Sequence, residues 1–282
     1  VHAPAIAECP DVTFAGVWAR GTESARALAE KHGVQAYEHL NELLRACDAV
    51  AFAVPPVVQA ELGAFAAQAK KAVLLEVPIG GDQYGAEALT EAVLLNKVVS
   101  QVALTWRYTT AVRTFLATEV PRTHPQGGVG RVVVRARDRF VSPWWMERGV
   151  LFGVGPHLVD LLDAALGPVA IVRAHGEPDG WLGMLLEHGH DRFSEASLLA
   201  TTGDEPIRAG VEIFGPGGAA SVDPAAGVGP DTWLTMYREF AAAVQSGTPH
   251  ELDVQRGLHV HHIVEEADTD LVRRAENTAS RR

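Results

Sequence analysis

The chain has 282 residues, 47% of them hydrophobic, which is enough for one large domain or two ordinary ones with substantial cores. Its formal net charge of −11 argues against nucleic acid or an anionic membrane surface as partner. No window holds eighteen uninterrupted apolar residues and no charged start leads into an apolar run. Cys9 and Cys47 form no ligand spacing, so a reducing cytoplasm is the expected compartment.

In chain order, residues 12–18 read as a strand. Thr22 is placed as the N-cap of a helix carrying Ala25, Leu28 and Ala29 on one face, with Gly33 as its stop. Leu40, Leu43 and Leu44 mark a short helix. Residues 49–54 form an apolar strand that runs into Pro55-Pro56. Val58, Leu62, Phe65, Ala66 and Ala69 stripe the next helix, and residues 72–76 form a strand ending in Glu76-Val77-Pro78. A helix through Ala88, Ala92 and Leu95 and a strand at 98–104 follow. Near-continuous apolar strands alternating with amphipathic helices predict a doubly wound, Rossmann-type parallel sheet over residues 1–104.

Past residue 104 the period changes. A helix near 109–119 precedes Gly127-Gly128. Then Val132, Val134 and Ala136 alternate with Val133, Arg135 and Arg137, the signature of a sheet with one wet face. Further strands are expected at 169–175, 181–187, 195–201 and 208–214. A helix through Leu158, Leu161, Leu162 and Ala165 comes before them, and helices at about 232–245 and 256–274 finish the chain. Residues 105–282 are thus expected to form a second, α+β domain with a mainly antiparallel sheet. One face of that sheet stays open, and the chain is expected to pair with copies of itself through it.

The ordered set Val54-Pro55-Pro56, Glu76-Val77-Pro78, Trp106-Arg107-Tyr108 and the run from Gly149 through Gly155-Pro156-His157 to Asp160 resembles the Gfo/Idh/MocA family of glucose-fructose oxidoreductases and inositol dehydrogenases. The resemblance covers essentially the whole chain. It implies an NAD(P)-dependent oxidoreductase acting on a sugar, cyclitol or related hydroxy/keto compound. Three departures stand out. No G-x-G-x-x-G opens a helix within residues 1–282. Val1–Ile6 looks like the tail of the helix after such a loop, so roughly 20 residues of strand, loop and helix are expected upstream. Gly215-Pro216-Gly217 is read as a β-turn instead. The lysine that the resemblance implies beside the nicotinamide is Val77, and the aspartate implied four residues before His157 is Gly153.

The resemblance and the strand-end positions nominate the site residues. His157 is the one proton carrier left at the implied catalytic position. Arg20, Val54, Pro55, Pro56, Gln59, Glu76 and Pro78 are the expected cofactor contacts, with Gln59 reaching a ribose. Arg20 follows a strand where an arginine pairs with a 2′-phosphate, so NADP is favoured over NAD. Without the glycine-rich loop, dinucleotide binding by these 282 residues is expected to be weak or absent. Arg107, Trp144, Trp145 and Asp160 are the expected substrate side: Arg107 gripping an anionic group, the tryptophans walling the pocket, Asp160 orienting His157. His259, His262 and Glu266 share one helix face, and no metal is expected from a single element; the same holds for His188 and His190. A degenerate relative that binds a ligand or partner without turnover is the competing reading, supported by Val77, Gly153 and the missing loop.

Overall fold

The computed structural model describes residues 1–135, 143–177, 180–201 and 208–279. The chain forms two compact units. The first joins Val1–Ala103 to Gly229–Leu258, and the second joins Leu104–Val228 to His259–Arg282.

The first unit runs α1 (His2–Glu8), β1 (Gly16–Val17), α2 (Thr22–His32), β2 (Gln35–Ala36), α3 (Leu40–Ala46), β3 (Ala49–Ala51), α4 (Pro56–Gln68), β4 (Ala72–Leu75), α5 (Gln83–Asn96) and β5 (Ser100–Val102). All its strand pairs are parallel, in two sheets ordered β1-β2 and β3-β4-β5. Val73, Leu74 and Leu75 are fully buried, as a strand covered on both faces requires. The strand expected over residues 12–18 shrinks to two residues, because its partner β2 offers only Gln35 and Ala36 to the ladder. Gly33 ends α2 at φ 65°, the left-handed position glycine takes without strain. The N-cap of α2 is Gly21 rather than Thr22. Asp82 caps α5 by accepting the Gly85 N–H at 2.8 Å.

In the second unit a 3₁₀ turn (Thr105–Tyr108) leads into α6 (Thr110–Thr114), a π turn (Phe115–Glu119) and α7 (Val120–Thr123). Then come β6 (Gly127–Arg135), α8 (Pro143–Leu166), β7 (Val169–Gly176), β8 (Trp181–His188), β9 (Arg192–Thr201), β10 (Arg208–Gly215) and β11 (Gly218–Val222). The sheet order is β11-β10-β6-β9-β8-β7, antiparallel except for the β6–β9 pair. Strand β11 was not expected. Gly215-Pro216-Gly217 is the turn that brings it back along β10. The expected continuation of the alternation at Ala136 and Arg137 falls outside the described residues.

Val132, Val134, Leu182, Leu186, Leu198 and Ile213 face inward and pack under Leu158, Leu161 and Leu162 of α8. The contact is close: a Cβ added at Gly130 would lie 2.6 Å from the Leu158 side chain. Within α8, Glu147–Leu166 is long and apolar enough to cross a membrane, but 83% of its apolar window is buried inside the protein. The opposite sheet face carries Val129, Ile171, Trp181, Leu185, Phe193 and Phe214, each between 37% and 52% exposed.

Two helices close the chain, α9 (Pro230–Ser246) and α10 (Val254–Ala279). A boundary at residue 104 would assign α9 to the second half, yet residues 229–258 group with the first unit. The reason lies in β5. Val102 N–H donates to the Leu252 carbonyl at 2.7 Å, and the Ser100 hydroxyl accepts from Val254 N–H at 3.0 Å. Buried Gln101 donates to the Met236 carbonyl at 2.9 Å. The outer edge of β5 is satisfied by chain that returns 135 to 154 residues later by number.

Candidate active site

In the first unit the carboxyl ends of β3 and β4 carry the expected motifs. Pro55 is the N-cap of α4 and Pro56 its first residue, where a fixed φ and a missing N–H cost nothing. Val54 and Val77 are half-buried, Pro55 is exposed, and Pro78 is buried. Gln59 does not point at a ligand. It is fully buried, accepts the Glu76 N–H at 2.8 Å, and donates to the Glu76 carbonyl at 2.9 Å and to the Pro78 and Ile79 carbonyls at 3.4 Å. The expected ribose contact is therefore a clamp on the loop that follows β4. The amide is suited to this because it offers a donor and an acceptor together.

Glu76 presents its side chain to His2. His2 Nε2 lies 2.5 Å from Glu76 Oε1, and His2 Nδ1 lies 2.6 Å from the Tyr237 hydroxyl. Burial, with Glu76 and Cys9 adding to it, holds the Tyr237 phenol far above its ordinary range. The phenol stays protonated and donates to Nδ1, which leaves the Nε2 proton for the carboxylate. Glu76 Oε2 has no partner among the described residues, and the Glu76 side chain is 36% exposed. Trp233 of α9 meets the His2 ring edge-on at 6.3 Å. Nothing in the local sequence pointed to His2, Trp233 or Tyr237. Arg20 is exposed and makes no hydrogen bond or ion pair among the described residues.

In the second unit Trp106 and His157 stack at 5.4 Å with a 38° tilt. Three residues on, the Asp160 carboxylate takes Arg107 Nη1 at 3.3 Å on both oxygens, with side chains 1% and 13% exposed. The guanidinium expected to grip a ligand is thus bound to the carboxylate expected to orient His157. Trp144 packs against the core of this unit. The Trp145 side chain lies outside the described residues. Gly153, one helical turn before His157, carries no acid. Three other histidines have partners of their own within the second unit. His259 Nε2 meets Asp163 at 2.8 Å, and His261 lies 3.6 Å from Glu265. His188 bridges the Gly167 carbonyl and the Ser194 hydroxyl at 2.7 Å each. Burial pushes the His188 pKa down. No group of three metal-ligating side chains converges among the described residues.

The chain thus consists of a parallel α/β unit and a unit built on one helix-backed mixed sheet, an α/β fold of the Rossmann-like kind. Residues 1–104 match the Gfo/Idh/MocA model, "Oxidoreductase family, NAD-binding Rossmann fold". Residues 1–104 are thus similar to that family's NAD-binding domain. No curated protein matches the sequence. Among solved structures, GenD2 from gentamicin A biosynthesis in complex with NAD is 19% identical, with TM-score 0.86 over 96% of this chain and 90% of that one. The UDP-N-acetylglucosamine 3-dehydrogenase GnnA of Acidithiobacillus ferrooxidans is also 19% identical, with TM-score 0.84 over 96% and 93%. A levoglucosan dehydrogenase in complex with NADH and levoglucosan is 16% identical, with TM-score 0.83 over 96% and 94%. At these identities the likeness is one of fold. The residues present fit a dinucleotide in part: Arg20 and the free oxygen of Glu76 suit its sugars and phosphate, while no glycine-rich phosphate loop occurs within residues 1–282.

Proposed function

We propose that this chain is an NAD(P)-dependent oxidoreductase of a sugar, cyclitol or related hydroxy/keto compound. The observation that carries the reading is the family's NAD-binding module over residues 1–104, with its E-x-P loop clamped at the carboxyl end of β4. A bound dinucleotide supplies hydride acceptance. This chain must then hold the substrate and take its hydroxyl proton. Val77 and Gly153 can do neither, so His157, stacked on Trp106, is the proton carrier of this reading, with Arg107 and Asp160 forming a fixed wall beside it. Val54, Pro55, Pro56 and Pro78 line the cofactor edge, and Arg20 favours NADP over NAD.

A second reading, a family member that binds without turnover, is favoured by the same Val77 and Gly153. Affinity of these 282 residues for dinucleotide is expected to be weak. Two missing charged hydrogen bonds at about 1.5–3 kcal/mol each amount to roughly two to four decades. The open face of the second unit's sheet is the expected self-association surface. Six strands about 4.8 Å apart and some eight residues long at about 3.3 Å each span roughly 750 Å², near the roughly 800 Å² per partner of a standard interface.

Fluorescence titration with NADH and NADPH tests the reading. Weak saturable binding with NADPH preferred is expected, and Arg20→Asp should shift preference toward NADH. Micromolar affinity would overturn the weak-binding expectation. No saturable binding at millimolar dinucleotide would leave the second reading.

A further inference from the structure

A cleft of about 590 Å³ lies in the second unit, at the end of the sheet where β6 and β9 begin. The α7–β6 connection, the β8–β9 turn and the β10–β11 turn line it, and none of its residues belongs to the candidate active site. Backbone contacts fix these walls. Gln126 N–H donates to the Phe214 carbonyl at 2.8 Å, and Gly217 N–H donates to the Thr123 carbonyl at 2.9 Å. A Cβ added at Gly215 would lie 2.2 Å from the Thr123 and His124 carbonyl oxygens, so two of the wall segments touch. The cleft is thus pre-formed, which lowers the ordering cost of filling it.

Three lining residues hold left-handed backbone without being glycine: His124 at φ 52°, His190 at φ 62° and Asp191 at φ 56°. Glycine or asparagine takes such positions at least cost in a hairpin. Here an imidazole and a carboxylate occupy the β8–β9 turn instead, and strain of this kind collects where a side chain has a use. Arg192 follows, half-buried, and its Nη1 donates to the Leu166 carbonyl at the C-terminal end of α8 at 3.0 Å. Neither the Asp191 carboxylate nor the other guanidinium N–H groups of Arg192 have a partner among the described residues.

These charges narrow the ligand. A simple anion would meet Asp191 and the carbonyl end of α8, the negative pole of that helix. A simple cation would meet Arg192. A zwitterion uses both, its carboxylate on the guanidinium and its ammonium on the carboxylate, each a charge-assisted hydrogen bond. Pro121, Pro125 and Pro216 add apolar wall beside the polar groups, the mixture that small-molecule sites present. We propose that this cleft binds a free α-amino acid with an apolar side chain, Arg192 taking its carboxylate and Asp191 its ammonium. The site is independent of the oxidoreductase reading. Leu166 lies nine residues beyond His157, about 14 Å further along α8, so the amino acid is a ligand other than the substrate.

Calorimetry and ligand-observed NMR on the whole chain compare L-leucine and L-phenylalanine with their N-acetyl derivatives, which lack the ammonium, and their amides, which lack the carboxylate. At least one free amino acid should bind saturably at millimolar concentration or below. Its two derivatives should each bind roughly 10- to 150-fold more weakly, the worth of one charged hydrogen bond. Asp191→Asn is the decisive variant, because asparagine keeps the left-handed turn. It should erase the preference for the free amino acid over its N-acetyl derivative and keep the preference over the amide. Arg192→Gln should do the reverse. Circular dichroism confirms each fold, and Asp191→Asn serves alone if Arg192→Gln, which also gives up the Leu166 carbonyl, does not fold. No saturable binding of either amino acid overturns the proposal. So does an N-acetyl derivative or an amide that binds as tightly as the free amino acid, since the site then serves a simple anion or a simple cation. Wild-type preferences in Asp191→Asn overturn it as well, by placing the ligand elsewhere.

Discussion

Replacing Gln59 should loosen the loop that carries Glu76 without touching any ligand. Gln59→Leu keeps the volume and apolar body of the side chain. It strands the Glu76 N–H, now paired at 2.8 Å, and the Glu76 carbonyl, now paired at 2.9 Å. Leaving a buried donor or acceptor unpaired costs about 1–3 kcal/mol. Two such groups, less about 1 kcal/mol for the added apolar surface, give a loss of about 3 kcal/mol in unfolding free energy. Gln59→Glu is the sharper variant. Its carboxylate still accepts from Glu76 N–H but cannot donate to the Glu76, Pro78 and Ile79 carbonyls, and it buries a charge. It should be the less stable of the two at neutral pH and recover part of the loss on acidification. Urea denaturation measures the totals. Hydrogen exchange over the peptide containing Glu76 localises them, with that amide protected in wild type and fast in both variants. Wild-type stability in Gln59→Leu together with unchanged exchange at Glu76 would refute the clamp.

Three further outcomes are expected. Arg107→Met takes the guanidinium away from the Asp160 carboxylate, whose side chain is 1% exposed, and should cost up to about 3–5 kcal/mol; a variant as stable as wild type in urea would contradict this. Burial works against the charge on Asp270, but the Ala174 amide and the Arg273 and Arg274 guanidinium groups outweigh it and hold its carboxyl well below the usual carboxylate range. A depressed folded-state pKa contributes stability that is present above the ordinary value near about 3.9 and is lost as the pH falls through the folded value, so Asp270→Asn should flatten the acid limb of a Tm–pH curve. Trp181→Glu with Phe193→Glu should turn an oligomer into a monomer by light scattering, and a wild-type monomer across micromolar concentrations would end the self-association proposal.

What was legible in the sequence was local. The apolar run at residues 72–75 announces a buried parallel strand. The alternation around Val132 and Val134 announces a one-sided sheet. These signals are periodic over a few residues, so tertiary context has little to add. Gln59 was misread because a polar residue at the start of a helix looks available, and only the path of the following loop shows that both ends of its amide are spent on backbone. His2 was invisible because its partners lie 74 and 235 positions away. Arg107 and Asp160 were each nominated for a ligand. Their 53-residue separation hid that they satisfy one another. The two-residue β1 escaped for the opposite reason: the apolar run over residues 12–18 promised more than a two-residue partner can pair.

The return of residues 229–258 to the first unit sets an order for synthesis. When β5 leaves the ribosome it can pair with β4, but the groups of Ser100, Gln101 and Val102 that meet Val254, Met236 and Leu252 must wait, because those residues have not been made. The whole of Leu104–Val228 must be translated first, which at about 5–20 residues per second takes on the order of ten seconds. During that wait the nascent nucleotide-binding half shows an unpaired strand edge while the apolar α8 emerges behind it. Such a protein should depend on holding chaperones in proportion to the length of the intervening segment. A gene fragment cut after residue 104 should yield an aggregating polypeptide rather than a minimal binding domain.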